Sequence, residues 1–205
     1  MKIKYITIER EYGSGGTEIA KRTAEELGIK SYGREIMELV AEKEKVSIKE
    51  LEDYEGKVSN SIIYSMFVVS QSETGNPDLL SEEAKLFVAE TRVIKKLSLE
   101  GPCIFVGHCA SHVLREKENV LRVFIRSSKS EKHRRIVEEY GVPDKEVRST
   151  MKKFNKKRAN YYSFCTNKKW DDLDNYDIVL NSSKLGIEGC IKVLSSIYLA
   201  SQKKD

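Results

Sequence analysis

Cysteine is sparse in this chain. Cys103, Cys109, Cys165 and Cys190 are the only four in 205 residues, and no two form a CxxC pair. That usage excludes a disulfide-stapled scaffold, and reduced thiols in a cytoplasmic protein are expected. Long apolar runs are also missing. The best candidate, SIIYSMFVVS (Ser61 to Ser70), is too short to span a bilayer and suits a buried helix. Lys2 and Lys4 lead straight into a strand pattern with no apolar segment between, so no secretory signal is expected. There is no internal repeat and no low-complexity linker. Neither sign of charge dominates: the net charge is +4, so an anionic ligand needs clustered basic residues. What is present, 40% hydrophobic and 33% charged residues, is the composition of a folded globular chain. Its length fits one domain with an inserted lobe.

The pattern alternates. IKYITIE reads as a buried strand, and after three glycines Ile19, Ala20, Ala24 and Leu27 recur at helical spacing up to Gly28. IKSY reads as a short second strand. From Arg34 to about Gly101 the pattern is helical, with breaks near Ser47 and Ser59 and at TGNPDLLSEE, where Ser81 caps a new start. PCIFVG and VLRVFIR are strand-like, with helical SHVLREK between them. Two charged helices, Ser130 to Tyr140 and Asp144 to Asn160, precede a last strand in YDIVLNSS and a closing helix from Ile187 to Ala200. Strands alternating with helices predict a parallel sheet covered on both faces.

The first turn, REYGSGGT (Arg10 to Thr17), lies between a strand and a helix. Gly13, Gly15 and Gly16 let successive backbone N–H groups converge, and the following helix start favours an anion. Set on the phosphate-loop pattern G-x-x-x-x-G-K-[ST], Gly15 and Thr17 fit. Arg10 stands in place of the first Gly, however, and Gly16 in place of the Lys. The dinucleotide pattern G-x-G-x-x-G fails as well, at Glu18.

Later segments match in order. Together with ITIEREYGSGGTEIAKRTAEELG, the stretches IFVGHCASHVL, VLRVFIRSSKSEKHRRIVEEYGV and MKKFNKKRANYYSFCTNKKWDDLDNYDIVLNSSKLGIE resemble the cytidylate-kinase-like family of P-loop nucleoside monophosphate kinases. The resemblance implies an α/β P-loop kinase fold in three layers, with a five-stranded parallel sheet. It implies a single domain 1–205: a core of 1–32, 101–128 and 170–205, a helical acceptor lobe at 33–100 and a mobile lid at 129–169. It implies a loop of Gly13, Ser14, Gly15, Gly16 and Thr17 that cradles ATP, with Thr17 touching Mg²⁺. ATP-dependent phosphoryl transfer to a small, nucleoside monophosphate-like acceptor follows. Small-molecule nucleotides are the expected partners; neither membrane nor nucleic acid is.

Phosphoryl transfer rests on cations aimed at the transition state, and the loop lysine is absent. Arg158 matches the family's lid arginine, with Arg135 and Arg134 as further candidates. Arg10 either reaches phosphate or pairs with Glu9 or Glu11. The run Lys152, Lys153, Lys156, Lys157 reads as a solvated face. Asn181 either reaches the adenine or caps its own turn. Two positions depart from the family. His108 replaces an acceptor-binding arginine, and Asn155 replaces an aspartate that could pair with Arg158. Hence a rival reading: a catalytically degenerate protein that binds or senses a nucleotide on the same fold. His108, His112 and Cys109 lack a fourth ligand for a metal. Trp170, Tyr161 and Tyr162 could stack on bases, although lid chemistry already accounts for the charge around them.

Overall fold

The structure, a computed structural model, describes residues 2–57 and 82–203. The expected Ser61–Ser70 helix, the break near Ser59, most of the TGNPDLLSEE turn and the Ser81 cap lie outside the described residues. Five strands, β1 (Tyr5–Arg10), β2 (Lys30–Tyr32), β3 (Cys103–Val106), β4 (Val120–Arg126) and β5 (Ile178–Asn181), form one all-parallel sheet. The order is β2-β3-β1-β4-β5, so β1 is central and its C-terminal end is flanked by two neighbours. Ligands of open parallel sheets bind at that end.

Alternation along β1 separates two cores. Ile6 and Ile8 join Ile104, Val106, Val123 and Ile125 against α1 (Gly16–Leu27) and α8 (Ser182–Gln202). Tyr5 joins Phe105 and Phe124 on the opposite face. There they meet α2 (Arg34–Glu44), α4 (Glu82–Leu99) and the C-terminal half of α7 (Val147–Thr166). The expected lobe also contributes α3 (Ile48–Lys57).

Helix ends follow local chemistry. Gly15 begins α1 in the left-handed region at φ 77°, and Gly28 ends it at φ 65°, its N–H donating to the carbonyls of Ala24 and Glu25. The Ser128 hydroxyl accepts from the Glu131 N–H to start α6 (Lys129–Glu138). Three expectations need correction. SHVLREK yields only the one-turn α5 (Ala110–Val113). Helix α7 runs beyond Asn160 to Thr166, because Tyr161, Tyr162, Phe164 and Cys165 bury a continuing face. Helix α8 starts at Ser182 and kinks at Gly186 (φ 69°, ψ 170°), so the expected start at Ile187 is the segment after the kink.

Candidate active site

A cleft of about 460 Å³ opens where β1 and β3 end, walled by α2, α3 and α7. From the segment Arg10 to Thr17, Arg10 and Thr17 line it, while Gly13, Ser14, Gly15 and Gly16 are buried. Gly13 (φ 80°) and Gly15 are both left-handed, and the first turn of α1 has no side-chain cap. Its N–H groups are therefore left for a ligand. Thr17 stands exposed on that turn and faces the cleft. The loop is closely packed from outside. A Cβ at Gly15 would lie 2.5 Å from Cδ1 of Ile187, and one at Gly13 would lie 2.9 Å from Ile136.

The two departures from the phosphate-loop pattern fit one another. A Cβ at Gly16 would lie 2.6 Å from Cβ of Arg10, so Gly16 is open because the Arg10 stem runs through that space. Arg10 then passes Gly107, where any Cβ would collide with its guanidinium, and enters the cleft wall. Its Nε is buried with no hydrogen-bond partner among the described residues. A buried donor of this kind fits a ligand oxygen.

Helix α7 is seated on the loop. Asn155 Oδ1 accepts from the Tyr12 N–H at 2.7 Å. Phe154 stacks on Tyr12 with centroids 4.5 Å apart, and the Arg158 guanidinium lies 5.8 Å from the Tyr12 ring centre. Arg158 also donates to the Arg10 carbonyl at 2.9 Å and lines the cleft. Asn155 thus holds the loop backbone, where sequence reasoning considered only a lost partner for Arg158. Lys157 donates to the Glu52 carbonyl at 2.8 Å, which ties α7 to α3 across the cleft.

The remaining sequence candidates separate. Arg135 is buried beside Gly15, bonded to Glu18 at 2.8 Å and Glu139 at 2.7 Å. Arg134 points elsewhere, clamped by Glu131 and Glu138 at 2.5 Å each, and does not line the cleft. Asn181 Oδ1 accepts from the N–H and hydroxyl of Ser183, the capping alternative. Ser14 is buried, and its carbonyl accepts from the Ser182 hydroxyl at 2.7 Å. Lys152, Lys153 and Lys156 are exposed. Trp170, Tyr161 and Tyr162 are buried in the core rather than displayed as a stacking platform. His112 is held neutral, its pKa lowered to about 4 by burial and by Arg115 and Lys168.

His108 lines the cleft, and its Nδ1 lies 2.7 Å from Oε1 of Glu90. Glu90 is fully buried, and its other oxygen accepts from the Tyr161 hydroxyl. Glu9, also buried, reaches the cleft from β1 and accepts from Trp170 Nε1 at 3.1 Å. Burial raises its pKa, against the opposing pull of Arg10, Trp170 and Arg158. Lys132, buried on α6, bonds Glu11 at 2.9 Å just before the loop. Sequence reasoning missed Glu90 and Lys132. Glu90 left a signal, since it interrupts the apolar stripe of Leu86, Phe87, Val93, Ile94 and Leu97. Lys132 left none, inside a helix charged all round.

Among the described residues no group of three His, Cys, Asp or Glu could hold a metal, and no helix is long and apolar enough to cross a membrane. For Mg²⁺ the arrangement fits a single protein ligand, the Thr17 hydroxyl, with nucleotide oxygens and water completing the shell.

Among solved structures, an uncharacterized protein from Eubacterium ventriosum superposes with TM-score 0.72 and 24% identity, over 97% of this chain and 99% of that one. TT1252 from Thermus thermophilus does so at TM-score 0.54 and 16% identity, over 100% of both chains. Shikimate kinase from Bacteroides thetaiotaomicron gives TM-score 0.51 and 13% identity, over 94% of this chain and 96% of that one. At these identities the likeness is one of fold, that of the P-loop kinases. No curated protein gives a significant match. Residues 5–184 match the profile of the Cytidylate kinase-like family, and the chain belongs to that family.

Proposed function

We propose that this protein transfers the γ-phosphoryl group of ATP to a small acceptor held between the sheet and the lobe of α2, α3 and α4. The observation that carries this reading is the convergence of Thr17, Arg10 and Arg158 on one cleft at the end of the central strand. The loop and the first turn of α1 bind phosphate oxygens through backbone N–H groups. Arg10 supplies the cation that the loop lysine supplies in the strict motif. Arg158, held against the loop at the Arg10 carbonyl, borders the same cleft and stabilises charge on the transferring group. Arg135, beside Gly15, exchanges Glu18 for a phosphate oxygen when a nucleotide is present. Mg²⁺, bound with the nucleotide and Thr17, neutralises the remaining phosphate charge. Arg34 and Lys157 line the same cleft, which favours an acceptor carrying negative charge, and nucleotide-like acceptors follow from the family.

The test combines binding with turnover. ATP and Mg²⁺ at about one hundred times the dissociation constant should stabilise the protein by about 2.7 kcal/mol, a rise in Tm of roughly 5–10 °C. ADP release should accelerate when a nucleotide or other small anionic acceptor is added. A Tm unchanged by ATP overturns the proposal. A full shift with no turnover on any acceptor, or on water, favours the nucleotide-sensing alternative.

A further inference from the structure

One feature of the cleft is costly and is not required for binding phosphate. Glu90 is a fully buried carboxylate, and burying such a group is expensive unless each oxygen is satisfied. Here one oxygen is bonded by His108 Nδ1 at 2.7 Å and the other by the Tyr161 hydroxyl. When both neighbours donate, both Glu90 oxygens act as acceptors, and the tautomer that makes this bond carries its proton on Nδ1 and its lone pair on Nε2. The ring is only 11% exposed, and it borders the cleft. The backbone is strained to place it there. Gly107, His108 and Cys109 are successive left-handed residues at φ 78°, 54° and 51°. Such conformations are strained at non-glycine positions and persist where the surroundings enforce them.

A carboxylate-oriented imidazole is the arrangement of a general base. A phosphate acceptor does not need one, because its oxygens are already ionised near neutral pH (second pKa about 6). A hydroxyl acceptor does. Resting on the kinase reading above, we infer that His108 is the general base, positioned by Glu90, and that the atom accepting the phosphoryl group is a hydroxyl oxygen. The hydroxyl proton passes to His108 Nε2, and the oxygen forms a bond to the γ-phosphorus. The bond from that phosphorus to the bridging oxygen breaks, and ADP departs with the electron pair. The product is a phosphomonoester, and the imidazolium returns its proton to solvent. Among the described residues, Glu90 from α4 bonds the ring, and Glu9, Arg10, Arg34, Glu52, Lys157 and Arg158 line the same cleft, with Cys109 and Tyr162 also bordering it. Tyr161 from α7 bonds the same carboxylate, its hydroxyl kept protonated by burial and by nearby Glu90.

The test uses the full chain with ATP and Mg²⁺, with water alone and with cytidine, cytidine 5′-monophosphate, glycerol 3-phosphate and shikimate as acceptors. Products are identified by ³¹P NMR, which separates a new phosphomonoester from a new phosphoanhydride. Transfer to a hydroxyl should yield the ester, with kcat rising along an acid limb as pH increases. His108→Asn suits the left-handed backbone and should lower kcat by about 10²-fold or more and remove the limb, with the ATP-induced rise in Tm retained. Glu90→Gln keeps an acceptor for Nδ1 but removes the charge, so the limb should move to lower pH by about 1–3 units with KM for ATP unchanged. A merely structural Glu90 would leave the limb in place. A phosphoanhydride product formed equally fast by the native protein and His108→Asn overturns this inference and leaves the kinase reading standing. Absence of any transfer, to water or to any acceptor, overturns both.

Discussion

At the scale of single residues, Arg10 and Gly16 compete for one volume. The 2.6 Å approach of a Gly16 Cβ to the Arg10 Cβ is below any normal carbon contact, and both belong to short, stiff parts of the chain. Introducing the lysine of the strict motif at position 16 therefore forces Arg10 out of place. Gly16→Lys alone should destabilise by about 1–3 kcal/mol, the usual cost of overpacking, and abolish the ATP-induced rise in Tm. Arg10→Gly alone should weaken ATP binding by removing the cation. The double variant, which rebuilds the strict motif, should recover much of both losses, with a coupling of about 0.5–3 kcal/mol. Thermal melts with and without ATP over the four proteins measure it, and strictly additive effects would sink the exchange. The swap was half legible in the sequence. REYGSGGT shows both departures at known positions, but that one explains the other depends on two side-chain directions that spacing does not encode. Glu90 was legible only as a charge on an apolar stripe; its partner His108 lies 18 residues away, beyond the rest of α4 and strand β3.

At the scale of elements, the strands and α1 could be read because local signals agree there: apolar runs, a glycine start and a Gly28 stop. Helix α7 could not, because its role is set by what lies beneath it. Its N-terminal half presents Lys152, Lys153 and Lys156 to solvent, while Tyr161, Tyr162, Phe164, Cys165 and Thr166 are buried, so charge pattern alone suggested an end near Asn160. The middle of the helix is the working part. Asn155 binds the Tyr12 N–H, and Arg158 reaches the Arg10 carbonyl. These two contacts should separate in kinetics. Asn155→Leu leaves a part-buried N–H without its acceptor, so it should cost about 1–3 kcal/mol of stability in a urea melt. Asn155→Asp should be tolerated, since a carboxylate accepts equally well. Arg158→Ala should instead lower kcat by on the order of 10³-fold with little change in KM for ATP, because a cation acting on the transferring group counts chiefly in the transition state. Turnover within about threefold of native would reduce Arg158 to a structural tie of the lid.

At the scale of the whole molecule, lobe, lid and sheet share one core. The buried cluster on the Tyr5 face takes in Ile36 and Val40 of α2, Phe87 and Ile94 of α4, Phe105 of β3, and Tyr161, Phe164 and Trp170 from the lid side. A lid moving as a rigid block over 129–169 would have to tear that cluster. The C-terminal half of α7 is thus part of the same packed cluster as α2, α4 and β3. The resemblance implied three segments in order, a core, an acceptor lobe and a lid. It offered no sign that two of them close over the same face, since a shared core is a property of packing and not of any one segment. The consequence is cooperative unfolding. Trp170 is the only tryptophan, buried after the end of α7 against Phe124 of β4, with ring centroids 5.1 Å apart, so its fluorescence reports the packing of that return on the sheet, while far-UV circular dichroism reports all helices. The two urea transitions of the native protein should coincide. Phe105→Ala, which empties a fully buried ring site on β3 between lobe and sheet, should cost about 3–5 kcal/mol and displace both transitions equally, although Phe105 is not in the lid. A tryptophan transition that stays in place while the dichroism transition moves would show that the return after α7 folds separately from the Phe105 cluster, and the shared-core account would fail.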